Sequence, residues 1–586
     1  MAVENLITEH IDIWTAAVKT KSTSGRGSSK KLELYGIKKL RELILELAVR
    51  GKLVPQDPND EPASVLLERI AQEKAQLVKE KKLKKPKKLP NISDEEKPFD
   101  LPNGWKWVRF PDVAHYGPGK TPATKNSLYW DETGSGIPWV SIADLNDKST
   151  VSVSTKKVSN IAVEQVFKRT PIPAGTMLMS FKLTVGKASI LNVDAFHNEA
   201  IISVFPYTGV LQSYLFKVLP SRANSGNKKN AIMGFTLNAE SLSLLTIPLP
   251  PEAEQHRIVA KVDELMVLCD QLEQQTEASI EAHQVLVTTL LDTLTNSADA
   301  DELMQNWARI SEHFDTLFTT EESIDQLKQT ILQLAVMGKL VPQDPSDEPA
   351  AELLKRIAEE KAQLVKEKKI KKENALPPIS EDEKPFELPN GWEWCRLGEL
   401  VNIRGGKRLP KGHALTQEPT PYVYIRVSDM KNGTVSTADL HYLSKEAQEQ
   451  IKNYIITSDD IYMTIVGATI GKCGVVPVEL CGMNLTENAA RLSPYSDLDK
   501  HYLHQLLSSG FAQTQFVDKT KQVGVQKMAL NRLASTLVPL PPINQQRLIF
   551  SKVSELFDIC HKLQLQITTS QDIQLYFTDA IVGQVM

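Results

Sequence analysis

The segment GKLVPQDPNDEPA at Gly51–Ala63 returns as GKLVPQDPSDEPA at Gly338–Ala350, with a single residue changed. A repeat fixes architecture ahead of any local feature. The offset of 287 residues holds without a gap from Ile37 and Ile324 as far as LPNGWKW at Leu101 and LPNGWEW at Leu388. Farther on, PLPPEAEQHRIVAKVDEL, ending at Leu265, matches PLPPINQQRLIFSKVSEL, ending at Leu556, at an offset of 291. The segments between, Trp105 to Leu249 and Trp392 to Leu540, share only scattered landmarks. Each half of the chain therefore reads as constant block, variable segment, constant block.

The constant blocks read as helices. Ile37–Val49 and Ile324–Val336 are amphipathic, and each is followed by a glycine, Gly51 or Gly338, the residue suited to a helix C-terminus. EPASVLLERIAQEKAQLVKEKK and its copy predict a further helix rich in Glu and Lys. After each PLPP, apolar residues recur at spacings of four, three, four and three. They are Ile258, Val262, Leu265, Cys269 and Leu272, then Ile549, Val553, Leu556, Cys560 and Leu563. This is coiled-coil spacing, and a Pro pair suits the stop before a helix. The stretch Glu252–Asn296 predicts a helix of roughly 60 Å at 1.5 Å per residue. The lysines Lys81, Lys82, Lys84, Lys85, Lys87 and Lys88, with Lys368, Lys369, Lys371 and Lys372, run into Pro and read as solvated linkers rather than phosphate contacts.

The variable segments carry strand-like runs between turn signals: IPWVSIADL, TMLMSF, ASILNV and AIISVFP in the first, YVYIRVSDM, IYMTIVG and CGVVPV in the second. Each segment is the usual size of one domain, which predicts two α+β modules.

At 586 residues the chain is expected to form several domains, three to four by usual size. Its hydrophobic content of 41% and charged content of 24% exclude a mainly disordered or fibrous chain. A net charge of −4 is unlike that of a free-standing nucleic-acid binder, so any DNA contact must come from local basic patches or from basic partners. Five cysteines without a C-x-x-C pair point to neither a disulfide framework nor a zinc site. The acidic N-terminus MAVENLITEH is unlike a signal peptide, and no apolar run approaches the ~20 residues that span a bilayer. A cytoplasmic protein is expected.

No catalytic constellation is found. GATIGKC at Gly467–Cys473 has three residues between its glycines where a P-loop needs four, and Cys where the P-loop has Ser or Thr. Dinucleotide, zincin and nucleophile-elbow motifs are absent, as is the Asn- or Asp-Pro-Pro-Tyr used by adenine methyltransferases. Cys269 and Cys560 read as small apolar residues of a helix interface. His256 and His561 read as polar surface. The tryptophans of GWxW (Trp105, Trp107, Trp392, Trp394) read as core anchors rather than base-stacking platforms.

Basic loops recur at matching places. YGPGKTPATKNS (Tyr116–Ser127) and RGGKRLPKG (Arg404–Gly412) follow the GWxW starts. SRANSGNKKN and DKTKQVGVQK precede a shared Leu-Asn at Leu237–Asn238 and Leu530–Asn531, and Lys187 and Lys472 each follow a Gly. Lys and Arg fix phosphates, while Arg, Lys, Asn and Gln read base edges. The candidate DNA contacts are Lys120, Thr121, Lys125, Lys187, Asn227, Lys228 and Lys229 in the first module. In the second they are Arg404, Lys407, Arg408, Lys472, Lys519, Lys521 and Lys527. The candidate subunit-interface or seam residues are Ile258, Val262, Leu265, Leu272, Ile549, Val553, Leu556 and Leu563, and no metal site is expected.

Taken in this order, the blocks resemble the specificity subunit of type I restriction-modification enzymes. The resemblance spans essentially the whole chain: N-terminal repeat block, module opening at LPNGWKW, PLPPEAEQHRIVAKVDEL helix, central GKLVPQDP block, second module and final PLPP helix. The N-terminal copy of the central block is similar to the subfamily with a long N-terminal region. The resemblance implies an α+β fold with two target-recognition domains separated by long antiparallel coiled-coil helices, in a pseudo-twofold repeat. Its expected divisions are a helical block and linker (1–100), a first recognition domain (101–250), a central spacer and second block (251–387), a second recognition domain (388–541) and a final helix (542–586).

It further implies a non-catalytic chain that binds double-stranded DNA at a bipartite target and holds methyltransferase subunits, two copies, and restriction/translocase subunits. S-adenosylmethionine, ATP and magnesium would reside on those partners, none on this chain, and the methylated base would be adenine flipped from the stack. A twofold object presents one surface twice, and half-sites on one DNA face lie about 34 Å or a multiple apart. The alternative is a duplicated protein-interaction scaffold without a DNA role; a single-chain restriction-methylation enzyme would need the absent motifs. Leu265→Asp or Leu556→Asp is expected to weaken assembly with the methylation subunit more than it alters sequence preference. The sequence of GKLVPQDP is compatible with touching a partner and with only turning the chain between helices.

Overall fold

Each amphipathic helix of the repeated block stops at its glycine, for a reason visible in the backbone. Helix Tyr35–Val49 ends with Gly51 at φ +67°, where the Gly51 amide donates to Ala48 O (3.3 Å) and the Lys52 amide to Leu47 O (2.9 Å). Helix Glu321–Val336 ends identically, with Gly338 at φ +69° and amides of Gly338 and Lys339 donating to Ala335 O (3.2 Å) and Leu334 O (2.9 Å). This pair of bonds satisfies two helix-end carbonyls and requires a left-handed residue, which favours Gly.

The turned chain is laid on the start of the following module. A Cβ on Gly51 would lie 2.5 Å from Pro102 Cγ and 3.0 Å from Trp105 Cζ2; one on Gly338 would meet Pro389 and Trp392 at the same distances. Gln56 Nε2 then donates to Glu254 Oε1 (2.6 Å), and Trp105 Nε1 to Glu254 Oε2 (2.8 Å). In the second copy Trp392 Nε1 donates to Gln343 Oε1 (2.9 Å) and Gln545 Oε1 (3.0 Å). GKLVPQDP thus turns the chain and straps together helix, module start and PLPP helix.

The computed structural model describes residues 3–21, 31–83, 88–225, 229–231, 234–298, 300–372, 375–495, 497–518 and 526–585. They divide into two compact units, Met1–Ala278 with Gln571–Met586, and Ser279–Ser570. In the first unit a five-stranded sheet runs in the order Ala114–Pro118, Ile201–Pro206, Met177–Ser180, Ala188–Leu191, Ser149–Val151, antiparallel except for the last pair. A four-stranded sheet is built around Ile137–Val140. In the second unit an antiparallel sheet runs Val401–Gly405, Ala489–Pro494, Ile461–Thr464, Cys473–Val475, beside a three-stranded sheet containing Tyr424–Ile425. Each module is closed by its own ends, Lys106–Arg109 pairing antiparallel with Thr246–Leu249, and Glu393–Arg396 with Leu537–Leu540.

Two predicted strands are shorter than their apolar runs. IPWVSIADL leaves the sheet after Val140 because Ser141 N–H donates to Asp144 Oδ2 (2.8 Å). YVYIRVSDM leaves after Ile425, where Arg426 N–H donates likewise to Asp429 Oδ2 (2.8 Å). An Asp side chain that satisfies the backbone locally competes with the ladder.

Helices Glu252–Thr295 and Ile543–Val585 follow the two PLPP stops. In the first unit Ile258, Val262, Leu265, Cys269 and Leu272 are buried with Leu40, Leu43, Ile44 and Leu47 of the strapped helix. In the second, Ile549, Val553, Leu556, Cys560 and Leu563 are buried with Leu327, Ile331 and Leu334. The repeat also reaches farther back than the 287-residue offset. ITEHID at Ile7–Asp12 matches ISEHFD at Ile310–Asp315, and His10 (φ −123°, ψ 24°) and His313 (φ −121°, ψ 20°) begin their short helices with the same backbone. The first copy carries additional residues between this point and Tyr35, where Lys19–Lys21 pairs with Lys31–Glu33. Among the described residues no helix is long and apolar enough to cross a membrane, and no His, Cys, Asp and Glu group could hold a metal ion.

Candidate nucleic-acid interface

In both modules the predicted basic loops are stitched to a single turn that the sequence reading did not single out. In the first module this turn is His197–Ala200. Lys120 N–H donates to His197 O (2.9 Å), Gly119 N–H to Ile201 O (3.2 Å), and Phe181 N–H to Ala200 O (3.0 Å); Leu237 N–H donates in turn to Phe181 O (2.8 Å). In the second module the turn is Thr486–Ala489. Lys407 N–H donates to Leu485 O (2.9 Å), Gly406 N–H to Ala489 O (2.9 Å), Ile465 N–H to Asn488 O (2.8 Å), and Met528 N–H to Ile465 O (2.9 Å). Three loops separated in sequence are thereby joined in the same order twice.

The glycine of each GK loop is obligatory at this approach. A Cβ on Gly119 would sit 1.8 Å from His197 O, and one on Gly406 would sit 2.1 Å from Thr486 O. An aromatic donor holds the loop from the other side. Trp139 Nε1 donates to Lys120 O (3.0 Å), and Tyr424, at the matching strand position, donates its hydroxyl to Lys407 O (2.9 Å). His197 itself is buried, and burial pushes its pKa down to about 4, so the ring is neutral at pH 7.

A glutamate of the turn takes hold of the side chain that follows the loop lysine. Thr121 Oγ1 donates to Glu199 in the first module, and Arg408 Nε donates to Glu487 Oε1 (2.8 Å) in the second. Burial alone would raise the Glu487 carboxyl, but the Arg408 and backbone bonds outweigh it and hold the pKa below the ordinary range. Glu199 and Glu487 were missed because Glu is rare among phosphate contacts. The signal was present as FHNEAI and LTENAA, each just before a strand.

Lys120 Nζ donates to Val166 O (3.1 Å) and Lys187 Nζ to Ile142 O (3.2 Å), so both are tied to their own module. Lys125, Lys407, Lys472 and Lys527 are exposed, and Arg404 Nη2 donates to Lys369 O (3.0 Å). The glycines before Lys187 and Lys472 have φ +85° and +88°. Their loops are braced by Ser180 Oγ donating to Thr184 O and by Thr464 Oγ1 donating to Thr469 O. Lys229 lies in strand Lys229–Ala231; Asn227, Lys228, Lys519 and Lys521 lie outside the described residues. All eight seam residues, Ile258, Val262, Leu265, Leu272, Ile549, Val553, Leu556 and Leu563, are at most 9% exposed. They hold helix to helix within a unit and leave little surface for a partner.

Comparison with known proteins bears on the family of the chain. The family model for the type I restriction modification DNA specificity domain matches twice, at residues 102–282 and 389–569. The chain is 43% identical over 605 residues to the type I restriction enzyme EcoAI specificity subunit of Escherichia coli, covering 99% of each chain. It is 42% identical over 611 residues to the EcoEI specificity subunit of the same organism, again covering 99% of each. A solved chain from a study of complex assembly and conformational transition of the type I R-M system is 17% identical, with a TM-score of 0.49, covering 83% of this chain and 99% of that one. With two matching domains and relatives similar along its whole length, the chain belongs to the family of type I restriction-modification DNA specificity subunits.

Proposed function

We propose that this chain is the non-catalytic DNA-reading subunit of a type I restriction-modification complex, with residues 101–250 and 388–541 as its two target-recognition domains. The observation that carries the reading is the three-loop cluster. The same backbone stitching recurs in both modules while the side chains it presents differ, Thr121 with Glu199 against Arg408 with Glu487. A constant frame carrying two different readers is what a two-part DNA target requires.

In this reading the chain also holds the methyltransferase subunits, two copies, and the restriction/translocase subunits, which carry S-adenosylmethionine, ATP and magnesium; it takes no cofactor itself. The helices from Glu252 and Ile543 run antiparallel as a coiled-coil spacer between the readers. The division of residues supports this, since the final helix begins in the second unit and its last residues belong to the first. Basic partner surfaces would supply phosphate contacts that a chain of net charge −4 lacks.

Replacing residues 105–249 by the corresponding segment of another family member is expected to change one half of the methylated sequence and leave the other intact, read by methylome sequencing of cells carrying the full complex. An unchanged target would instead favour a protein-interaction scaffold.

A further inference from the structure

We infer that Arg408 reads a guanine in the half-site of the second module, with Glu487 as the residue that orients it; the inference rests on the DNA-recognition reading above. Arg408 is both outward and held, at 80% side-chain exposure against 29% for Glu487. Its Nε donates to Glu487 Oε1 at 2.8 Å. Glu487 is fixed in turn: Thr486 Oγ1 donates to Oε2 (3.1 Å), and the hydroxyl of Tyr424, itself 5% exposed, lies 3.2 Å from the same oxygen. The loop beneath cannot lift away without breaking the Gly406 and Lys407 amide bonds to the turn.

Holding a guanidinium by Nε restrains its plane, and Nη1 and Nη2 of this mainly exposed side chain have no partner among the described residues. That end-on fork matches the N7 and O6 acceptors of guanine in the major groove, the commonest specific contact between protein and DNA. A phosphate is the poorer fit. The Arg408–Glu487 pair has no net charge, so it offers little attraction to the DNA backbone, and a phosphate needs no fixed plane. The first module has Thr121 bonded to Glu199 at the matching place. Its half-site is therefore not read by an arginine fork at this position.

The test uses the full complex with wild-type chain, Arg408→Lys or Glu487→Gln, reading methylated sites genome-wide and competing duplexes that carry each base at each recognised position. Arg408→Lys is expected to relax one G·C position of the second half-site by about tenfold to a hundredfold. Glu487→Gln should relax the same position less, and the first half-site should not change. A second half-site without a specified G·C pair, an unchanged preference, or a uniform loss of affinity at all positions overturns the inference. Should either variant fail to assemble, the other gives the same readout. A wild-type complex with no bipartite target would instead sink the DNA-recognition reading itself.

Discussion

Arg109 and Arg396 show how one residue can organise a linker. Both are buried, at 3% and 5% exposure. Arg109 donates to Glu96 Oε1 (2.7 Å), Leu244 O (2.7 Å) and the carbonyls of Pro90 and Asn91 (3.4 Å each). Arg396 does the same with Glu383, Ser535 O and the carbonyls of Pro377 and Pro378. The chain after each Lys-rich tail is thereby wrapped around a guanidinium. The arginine bond, helped by the Ser93 amide, holds the Glu96 carboxyl at about 2 against an ordinary 4.5, and Glu383 is held at about 2 in the same way. A carboxyl with a depressed folded pKa stabilises the fold fully above its unfolded value and loses that contribution as pH falls through the folded one. Stability is therefore expected to fall between about pH 4.5 and pH 2. The thermal midpoint of Glu96→Gln with Glu383→Gln should be lower at pH 7 and should vary less with pH across that window. Equal slopes for variant and wild type would count against it.

At the scale of the element, the repeated glycines carry the most information per residue. Gly51→Ala must place a side chain at φ +67°, a conformation costing about 1–2 kcal/mol. It must also push against Pro102, an overpacking cost of about 1–3 kcal/mol. A loss of roughly 2–5 kcal/mol is expected by denaturant titration, with an equal effect for Gly338→Ala. A loss under about 1 kcal/mol at both sites would mean that the strap yields at little cost. The seam is the complementary case. Its spacing predicted burial, but Leu265 and Leu556 are buried against helices of their own units. An Asp at either position is therefore a core lesion before it is an assembly lesion.

At the scale of the whole chain, the last residues of the final helix belong to the first unit. Tyr35 donates its hydroxyl to Asp579 Oδ1 (2.8 Å), and Ile581 is buried in the first unit's core. Truncation after Ser570 should reduce amide hydrogen-exchange protection in helix Tyr35–Val49 while leaving Glu321–Val336 unchanged. Equal effects in the two helices would contradict that division. The pairing of each module's first and last strands brings both of its ends out of the frame side by side.

The duplicated frame, its helices and their glycine stops were legible in the sequence because they depend on local rules: periodicity, chain termination and a repeat that fixes register. The basic loops were legible as recurring places. Their joint meaning was not, because Glu199, Glu487, Trp139 and Tyr424 reach the loops only through contacts between residues far apart in the chain. The strap follows the same logic: Gln56 and Gln343 are unremarkable in sequence and become anchors only when folding brings them to Glu254 and Trp392. Sequence alone determined that one frame carries two readers, since local chemistry repeats wherever the residues repeat. Which side chains face outward and which are held depends on the fold, because hydrogen bonds between distant segments set that orientation.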